Sequence, residues 1–404
     1  MGNGEGRVGQ RAIVCQPQAP RGADPYNPAM PASHDVCIRG AGIVGRVLAL
    51  LLARERLRVA LLVPPADPTR PEDVRAYALS PAARTLLESL RCWPDERAAT
   101  PVLEMQVFGD QRGALHFAAA DQGVAALNWI VDVPALERQL ADAVRYQGGI
   151  DTVTAPVAAP LTVVCEGRAS RTRTELGVDF DTTRYPQQAI ATRLECEHAH
   201  GQIARQWFTP EGDILAFLPL DGAQGRQVAV VWSVLGDRID ALLALDAAAL
   251  AARLHQASGG ALGALHLGSP RAHWPLLLAR ATRWVGPMPG RPGESFALAG
   301  DAAHAMHPLA GQGLNVGLGD AAELARVLGQ GEGWRSPGDL KLLRRYERAR
   351  QGDWLRMSLA TDALQQLFGR PEAGAGVLRN WGMTLFDHSG PLKRRIARLA
   401  MGTA

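Results

Sequence analysis

The chain has 404 residues, of which 47% are hydrophobic and 21% are charged, and its formal net charge is +3. This length can bury a large core divided between two domains, and so small a net charge argues against a nucleic-acid partner. The five cysteines are scattered without a C-x-x-C pair, and His198 and His200 have no further ligand cluster at matching spacing. We therefore expect a reduced compartment, no disulfide framework and no metal site.

The first 33 residues differ in composition from the rest of the chain. They carry four glycines before position 10, several prolines and little apolar periodicity, which predicts a disordered leader without a signal-peptide core. No run of 18 apolar residues long enough to span a bilayer occurs anywhere in the sequence. Met30 directly precedes the expected start of the fold and is a candidate start of translation, which the intact mass of the native protein would test.

The first pattern of the fold is a strand, a tight loop and a helix. Asp35–Arg39 reads as a strand, Gly40-Ala41-Gly42-Ile43-Val44-Gly45 follows, and apolar residues then recur on one helical face before a second strand at Leu57–Val63. In this context G-x-G-x-x-G predicts a dinucleotide site, because the glycines allow a tight turn and close approach of the backbone to a pyrophosphate. The candidate binding residues of this loop are Gly40, Ala41, Gly42 and Gly45.

One part of the dinucleotide fingerprint is missing. The acid that binds a ribose hydroxyl belongs at the end of the second strand, where this chain has Val63-Pro64-Pro65. Asp67 lies beyond the two prolines, so we expect it off the strand. Either another group holds the ribose, or the dinucleotide binds less tightly.

The segment Gly300–Asp320 is the most informative part of the sequence. It follows a strand pattern at Ser295–Ala299 and leads into a helical pattern that begins near Leu314. The loop between them is rich in glycine, so its backbone N–H groups can approach a ligand, and the helix N-terminus favours negative charge there. A reduced flavin, which is anionic near its pyrimidine edge, has this need. Asp301 is the candidate binding acid, although Asp is also a common helix cap.

This segment resembles the second flavin-binding motif of the aromatic-ring hydroxylases, and its His307–Asn315 core is most similar to the ubiquinone-biosynthesis hydroxylases. The resemblance covers most of residues 34–402. It implies that Asp301 binds the ribityl chain of FAD and that the Gly-Gln-Gly-x-Asn turn lies against the isoalloxazine. The cofactor-binding residues implied here are Gly300, Asp301, Pro308, Gly311, Gln312, Gly313, Leu314 and Asn315.

Two further segments resemble parts of the same family. Asp73–Ser80 is similar to a segment whose arginine faces the cofactor, so Arg75 is a candidate pyrophosphate contact, with an ordinary surface arginine as the alternative. Val163–Arg171 resembles an Asp-Gly motif that touches the pyrophosphate and is linked with NAD(P)H use, but Glu166 replaces the Asp. Only Tyr146–Pro160 separates the preceding helix from this strand, where relatives place a longer β-meander.

The predicted fold is α/β, with a doubly wound, Rossmann-like FAD-binding domain, a mainly antiparallel β-sheet substrate domain and a helical C-terminal region. The FAD-binding domain is expected to be discontinuous, from residues 34–104, 130–178 and 284–340. The substrate domain is expected from residues 105–129 and 179–283, and the C-terminal helices from residues 341–404.

The resemblance implies an FAD-dependent monooxygenase that hydroxylates a polyprenylated phenol in ubiquinone biosynthesis, with O2 as the oxidant and NAD(P)H as the electron donor, through a flavin C4a-hydroperoxide. The sequence names no general base, and His304 and His307 receive no role. Two alternatives stay open: a flavoprotein acting on another aromatic compound, and a catalytically weakened subunit of a quinone-biosynthesis assembly.

The location is expected to be cytoplasmic. From Leu392 to Met401 the apolar residues share one helical face and three arginines lie largely elsewhere. Such a basic amphipathic helix can lie on the inner face of a membrane, and the alternative is a last helix packed on the body of the protein. Other quinone-biosynthesis proteins are the expected macromolecular partners.

Overall fold

The structure is a computed structural model that describes residues 34–65, 73–109, 113–209, 211–306, 313–331 and 335–368, together with residues 1, 2 and 69. Of residues 356–368 only the backbone is described. Several predictions therefore lie outside the described residues: the leader with Met30, Asp67, the loop residues His307, Pro308, Gly311 and Gln312, and the basic segment from Leu392 to Met401.

Strands and helices are numbered here in chain order within the described residues. The strands are β1 (Val36–Arg39), β2 (Val59–Leu62), β3 (Ala76–Leu79), β4 (Ala99–Val102), β5 (Glu104–Phe108), β6 (Ala114–Ala118), β7 (Asn128–Asp132), β8 (Ile150–Val153), β9 (Leu161–Val164), β10 (Phe180–Cys196), β11 (Ile203–Phe208), β12 (Ile214–Leu220), β13 (Gln227–Leu235), β14 (Leu265–Leu267), β15 (Ala272–Ala281), β16 (Val285–Pro287), β17 (Ser295–Leu298) and β18 (His304–Ala305). The helices are α1 (Ile43–Arg54), α2 (Pro81–Ser89), α3 (Ala119–Gln122), α4 (Val133–Tyr146), α5 (Arg171–Glu175), α6 (Ile239–Ala244), α7 (Ala247–Ala257), α8 (Gly313–Gly329) and α9 (Leu340–Phe368).

A six-stranded sheet in the order β16-β17-β9-β1-β2-β8 forms the dinucleotide-binding half of the described chain. Its pairs are parallel except for the antiparallel edge pair of β16 and β17. The central strands are short and mostly apolar on both faces, as is typical of a sheet covered by helices on two sides. Helices α1, α4 and α8 provide this cover, and their buried residues form one core with the strands.

A second, mainly antiparallel sheet has the strand order β18-β15-β10-β13-β12-β11-β5-β6, with β14 pairing beside β10. One face packs on α6 and α7 through a core that includes Phe217, Trp232 and Leu254. The opposite face meets a three-stranded sheet, β3-β7-β4, through Ala78, Ile130 and other small or branched side chains. The three-stranded sheet also contributes side chains to the core of the six-stranded sheet and its helices, so it contacts both larger units.

These sheets confirm the predicted fold class. The strand and helix predicted around the first glycine loop lie at β1 and α1. The interval Tyr146–Pro160, for which no strand was predicted, holds β8, which pairs with β2 and ends the six-stranded sheet. β7 crosses the predicted boundary between residues 129 and 130, because it pairs with both β3 and β4.

The four described cysteines, Cys37, Cys92, Cys165 and Cys196, are free and buried. Burial raises the pKa of the Cys92 and Cys165 thiols and raises that of Cys196 to about 11. None of the described helices combines the length and the apolarity needed to cross a membrane.

Candidate active site

The first glycine loop is built by close backbone packing. Gly40 has φ +111°, a conformation that favours glycine, and a Cβ there would lie 2.5 Å from the carbonyl oxygen of Cys165. A Cβ at Gly45 would overlap the carbonyl oxygen of Gly40. Around Gly42 there is open space instead, since no atom of the described residues beyond its own neighbours in the chain lies within 4 Å of where its Cβ would be. Gly40 and Gly45 therefore serve the fold, and Gly42 leaves room for a ligand.

Helix α1 begins at this open side of the loop. Gly42 is its N-cap and provides no side-chain hydrogen bond, and no acidic residue lies in the first turn. The first N–H groups of a helix have no partner within the helix, so this end favours a bound anion. The arrangement fits a pyrophosphate.

The predicted acid, Asp301, lies in a tight turn directly after β17. Gly300 takes a left-handed φ of +61° there, and the N–H of Ala303 donates to its carbonyl oxygen at 2.8 Å. The Asp301 side chain is exposed to solvent, yet burial raises the pKa of its carboxyl against the opposing effects of His304 and Arg168. The carboxylate is therefore open to a ligand although protein atoms surround it, as a residue that binds a large cofactor must be.

Arg75 and Tyr77 lie on the segment that enters and forms β3. Arg75 is paired with Asp73 through Nε at 2.8 Å, and its Nη1 donates to the Tyr77 hydroxyl at 3.1 Å. Burial raises the pKa of Tyr77, and the negative charge of Asp301 adds to this effect. Tyr77 is therefore close to the predicted acid and keeps its proton. No motif in the sequence pointed to Tyr77.

Asn315 connects the start of α8 with β3. Its Oδ1 accepts a hydrogen bond from the N–H of Ser80 at 2.9 Å, and its Nδ2 donates to the carbonyl oxygen of Ala78 at 2.8 Å. The resemblance implied that Asn315 belongs to the turn against the isoalloxazine. The contacts show a brace that joins the two chain segments predicted to face the cofactor, the β3 segment and the second flavin motif.

Glu166 is occupied within its own motif. Its carboxylate accepts from the Ser170 hydroxyl at 2.7 Å and from both the hydroxyl and the N–H of Thr172, at 2.6 and 3.1 Å. These bonds hold α5, which carries Arg173. Arg173 Nη1 donates to the carbonyl oxygen of Ala302 at 3.1 Å. Arg173, which the sequence analysis did not single out, thus connects this motif with the Asp301 turn.

The end of β2 has the departure from the fingerprint that the sequence predicted. The N–H of Val63 donates to the carbonyl oxygen of Val153 at 3.0 Å, and the two prolines that follow are exposed. Arg46, in the first turns of α1, reaches towards α4, where Nη1 donates to the carbonyl oxygen of Glu137 at 3.4 Å. Burial lowers the pKa of Arg46, although Glu137 opposes this shift. Val63, Pro64 and Pro65, the residues described directly after β2, carry no carboxylate.

The described parts of the two flavin motifs lie together. Val44 of the first glycine loop contacts Gly300 and Gly317, since a Cβ on these glycines would lie 3.3 and 2.9 Å from its Cγ2. The glycine loop, the Asp301 turn and the start of α8 with Gly313 and Leu314 thus form one junction, and Asn315 attaches β3 to it. The open space at Gly42, the uncapped start of α1 and the exposed carboxylate of Asp301 fit FAD. No group of His, Cys, Asp and Glu able to hold a metal ion occurs among the described residues.

Comparisons with known proteins agree with this geometry. The family model of the FAD binding domain matches residues 112–353. Ubiquinone hydroxylase UbiL of Rhodospirillum rubrum is 34% identical, over 91% of this chain and 90% of that protein. The 3-demethoxyubiquinol 3-hydroxylase of Escherichia coli is 28% identical, over 91% of this chain and 98% of that protein.

Solved structures share the fold at lower identity. p-Nitrophenol 4-monooxygenase PnpA of Pseudomonas putida has a TM-score of 0.73 and 18% identity, over 93% of this chain and 99% of that one. PqsL of Pseudomonas aeruginosa in complex with 2-aminobenzoylacetate has a TM-score of 0.71 and 21% identity, over 87% of this chain and 99% of that one.

The fold and the site define an FAD-dependent monooxygenase. Within this class, the length and the sequence identity of the match to UbiL show the family of the chain. The chain belongs to the ubiquinone-biosynthesis hydroxylase family.

Proposed function

We propose that the protein hydroxylates the phenolic ring of a polyprenylated quinone precursor, with O2 as the oxygen source and a nicotinamide as the electron donor. The observation that carries this proposal is the path of the chain after Asp301. Its turn continues into β18, which pairs with β15 of the nine-stranded sheet at Ala279 and Arg280. This pairing brings the sheet next to the Asp301 turn, so a ring lying on the sheet would be near the flavin end of the bound cofactor. The hydroxylase names of the relatives support the substrate class.

Each part of the junction has a separate task in this proposal. The first glycine loop and the start of α1 bind the pyrophosphate, Arg75 adds a positive charge beside it, and Asp301 binds the ribityl chain. Bound FAD supplies the electron transfer and the activation of oxygen. The N-terminus of α8 stabilises negative charge on the ring system. The other residues that we propose to line the flavin side of the site are Gly300, Pro308, Gly311, Gln312, Gly313, Leu314 and Asn315.

The proposal places the ring of the substrate against the face of the second sheet that lies away from α6 and α7, next to the part that packs on the three-stranded sheet. The strand register places Ala191, Val231 and Ala216 side by side across β10, β13 and β12. Ala189 and Ser233 are the next pair along the same face. These side chains are small or branched, and Ala189, Ala191 and Ser233 are buried, so a ring held against them would be shielded from water.

The visible spectrum of the protein purified without added cofactor tests the first part of the proposal. An absorbing protein that releases FAD supports a working hydroxylase. A colourless protein that also fails to bind added FAD supports the alternative of a non-catalytic subunit, which no comparison favours.

Deletion of the gene in its native host tests the substrate. We expect a polyprenylated intermediate that lacks one ring hydroxyl to accumulate. Normal quinone levels in a host without a compensating homologue would contradict the proposal and favour another aromatic substrate.

The same host tests the location of the protein. We propose a cytoplasmic protein that contacts the inner membrane face and other quinone-biosynthesis proteins. This proposal is based on the basic C-terminal sequence and the lipid-tailed substrate.

A further inference from the structure

Asp320 lies on α8 and has no solvent-exposed surface. Its Oδ2 accepts a hydrogen bond from the backbone N–H of Gly300 at 2.9 Å and another from Nε2 of His304 at 2.6 Å. Gly300 and His304 stand on either side of Asp301 in the turn after β17. A single carboxylate oxygen therefore fixes both ends of the turn that presents the cofactor-binding acid.

The second carboxylate oxygen of Asp320 is bound by the C-terminal helix α9. Arg350 donates from Nε to Oδ1 of Asp320 at 2.8 Å and from Nη2 to the carbonyl oxygen of Val316 at 3.0 Å. Gly319 makes space for this guanidinium, because a Cβ there would lie 2.8 Å from Nη2. Arg350 also pairs with Asp353 at 2.6 Å. The guanidinium thus joins α9 to α8 at two points.

Two more hydrogen bonds attach α9 to the strands that lead to the turn. The Tyr346 hydroxyl donates to the carbonyl oxygen of Leu298 at 2.7 Å, at the end of β17. A carboxylate oxygen of Glu347 accepts from the N–H of Trp284 at 2.8 Å, directly before β16. The same helix therefore holds the strand before the cofactor turn and, through Asp320, the turn itself.

We propose that Asp320 and Arg350 are positioning residues that couple the binding of FAD to the docking of α9. The carboxylate transmits the position of Arg350 to the Gly300–His304 turn, so the turn reaches its binding geometry only when α9 is seated. Because coupling between two sites is reciprocal, FAD held by the turn also stabilises the seated helix. The inference rests on the proposed role of Asp301.

The electrostatics of the pair support this coupling. Burial alone would raise the pKa of Asp320, but His304 and Arg350 together outweigh it and lower the pKa, so the carboxylate stays ionised. Removing one partner of a buried ion pair leaves an uncompensated charge, which is strongly unfavourable. Without Arg350 the carboxylate must draw on other donors or on water, and the turn that it holds must shift with it.

The first test is the affinity of the full-length apoprotein for FAD, measured by quenching of flavin fluorescence. Arg350→Met should raise the Kd about tenfold, within the usual range of coupling between sites. Arg344→Met is the matched control, because Arg344 is an exposed arginine on the same helix, and it should leave the Kd unchanged. The double variant Asp320→Asn with Arg350→Met removes both charges and should bind FAD more tightly than Arg350→Met alone.

The second test separates coupling from a merely structural role. Amide hydrogen exchange over residues 341–355 should be slower in the wild-type protein with FAD than without it, and Arg350→Met should abolish this difference. Equal exchange with and without FAD in the wild type would overturn the inference, as would an unchanged Kd in Arg350→Met. Asp301→Ala separates the failure of the proposed cofactor site from the failure of the coupling. If this variant keeps its full content of FAD, the proposed site is wrong. If it loses FAD while Arg350→Met binds FAD like the wild type, only the coupling is wrong.

Discussion

The Arg173 guanidinium donates to the carbonyl oxygen of Ala302 at 3.1 Å, across 129 positions of the sequence. This bond joins the motif around Glu166 to the turn that carries Asp301. Arg173 also donates to the carbonyl oxygen of Arg168 at 2.9 Å and lies 3.7 Å above the ring of Phe180. The guanidinium is thereby fixed on both sides, and the position of the Asp301 turn depends on α5.

Glu166→Ala tests this dependence. The variant loses three hydrogen bonds to Ser170 and Thr172, and we expect a loss of about 1–3 kcal/mol in the free energy of unfolding. The affinity for FAD should also fall, because α5 and Arg173 loosen. Urea unfolding and a fluorescence titration measure the two effects. Glu175→Ala is the control, because Glu175 makes only a 3.6 Å surface ion pair with Arg39; an equal loss there would contradict the assignment.

The glycines of the first loop should divide into two groups. Gly45→Ala places a Cβ against the carbonyl oxygen of Gly40, and such overpacking should cost about 1–3 kcal/mol of stability. In Gly42→Ala the added Cβ meets no atom of the rest of the described chain, so the thermal midpoint of the apoprotein should stay the same while FAD binds more weakly. A Gly42→Ala protein that bound FAD like the wild type would show that the open space is not the cofactor's.

Asn315 should be sensitive to a change of one atom. Asn315→Ala removes the bonds to Ser80 and Ala78, and we expect a loss of about 1–3 kcal/mol. Asn315→Asp still accepts from Ser80 but cannot donate to the Ala78 carbonyl, so it should be destabilised as well. Chemical denaturation of both variants measures this. An unaffected Asn315→Asp protein would mean that the bond to Ala78 contributes nothing.

Asp301 should show opposite effects on stability and on cofactor binding. Because the folded protein raises the pKa of this carboxyl, its ionisation opposes folding, and stability falls as pH rises from the unfolded pKa of about 4 through the folded pKa. Apoprotein Asp301→Asn lacks this titration and should have the higher thermal midpoint at neutral pH. The advantage should shrink as the pH approaches about 4. The variant should retain little FAD, and Asp301→Ala should lose FAD without unfolding.

Sequence patterns predicted the local features of this site and missed the contacts between distant segments. The strand-loop-helix units at Gly40 and Asp301 were predictable because glycine placement and apolar periodicity are local. The partners of Asp320 and Arg173 were not, because a bond from α8 back to Gly300, or from α5 to Ala302, exists only once the strands are ordered in the sheet. The same reason explains β8, whose strand conformation depends on pairing with β2 more than on its own polar sequence.

Asn315 illustrates a different limit. The motif marked it as part of the flavin-side segment, and its hydrogen-bond partners are backbone groups of Ala78 and Ser80, more than 200 positions away. An amide side chain can serve a ligand or a backbone equally well, and the residue type alone does not separate the two. The motif therefore predicted where Asn315 lies more reliably than what it contacts.

The buried thiols offer a way to follow opening of each sheet by its own chemical label. Reagents that modify cysteine attack the thiolate, and burial keeps Cys165 and Cys196 protonated. Cys165 follows β9 of the parallel sheet, and Cys196 ends β10 of the antiparallel sheet. Modification at either position requires local or global opening, so mass spectrometry of labelled peptides can measure the opening rate of each sheet separately. Cofactor loading should then slow labelling at Cys165 more than at Cys196, because Cys165 packs against the glycine loop.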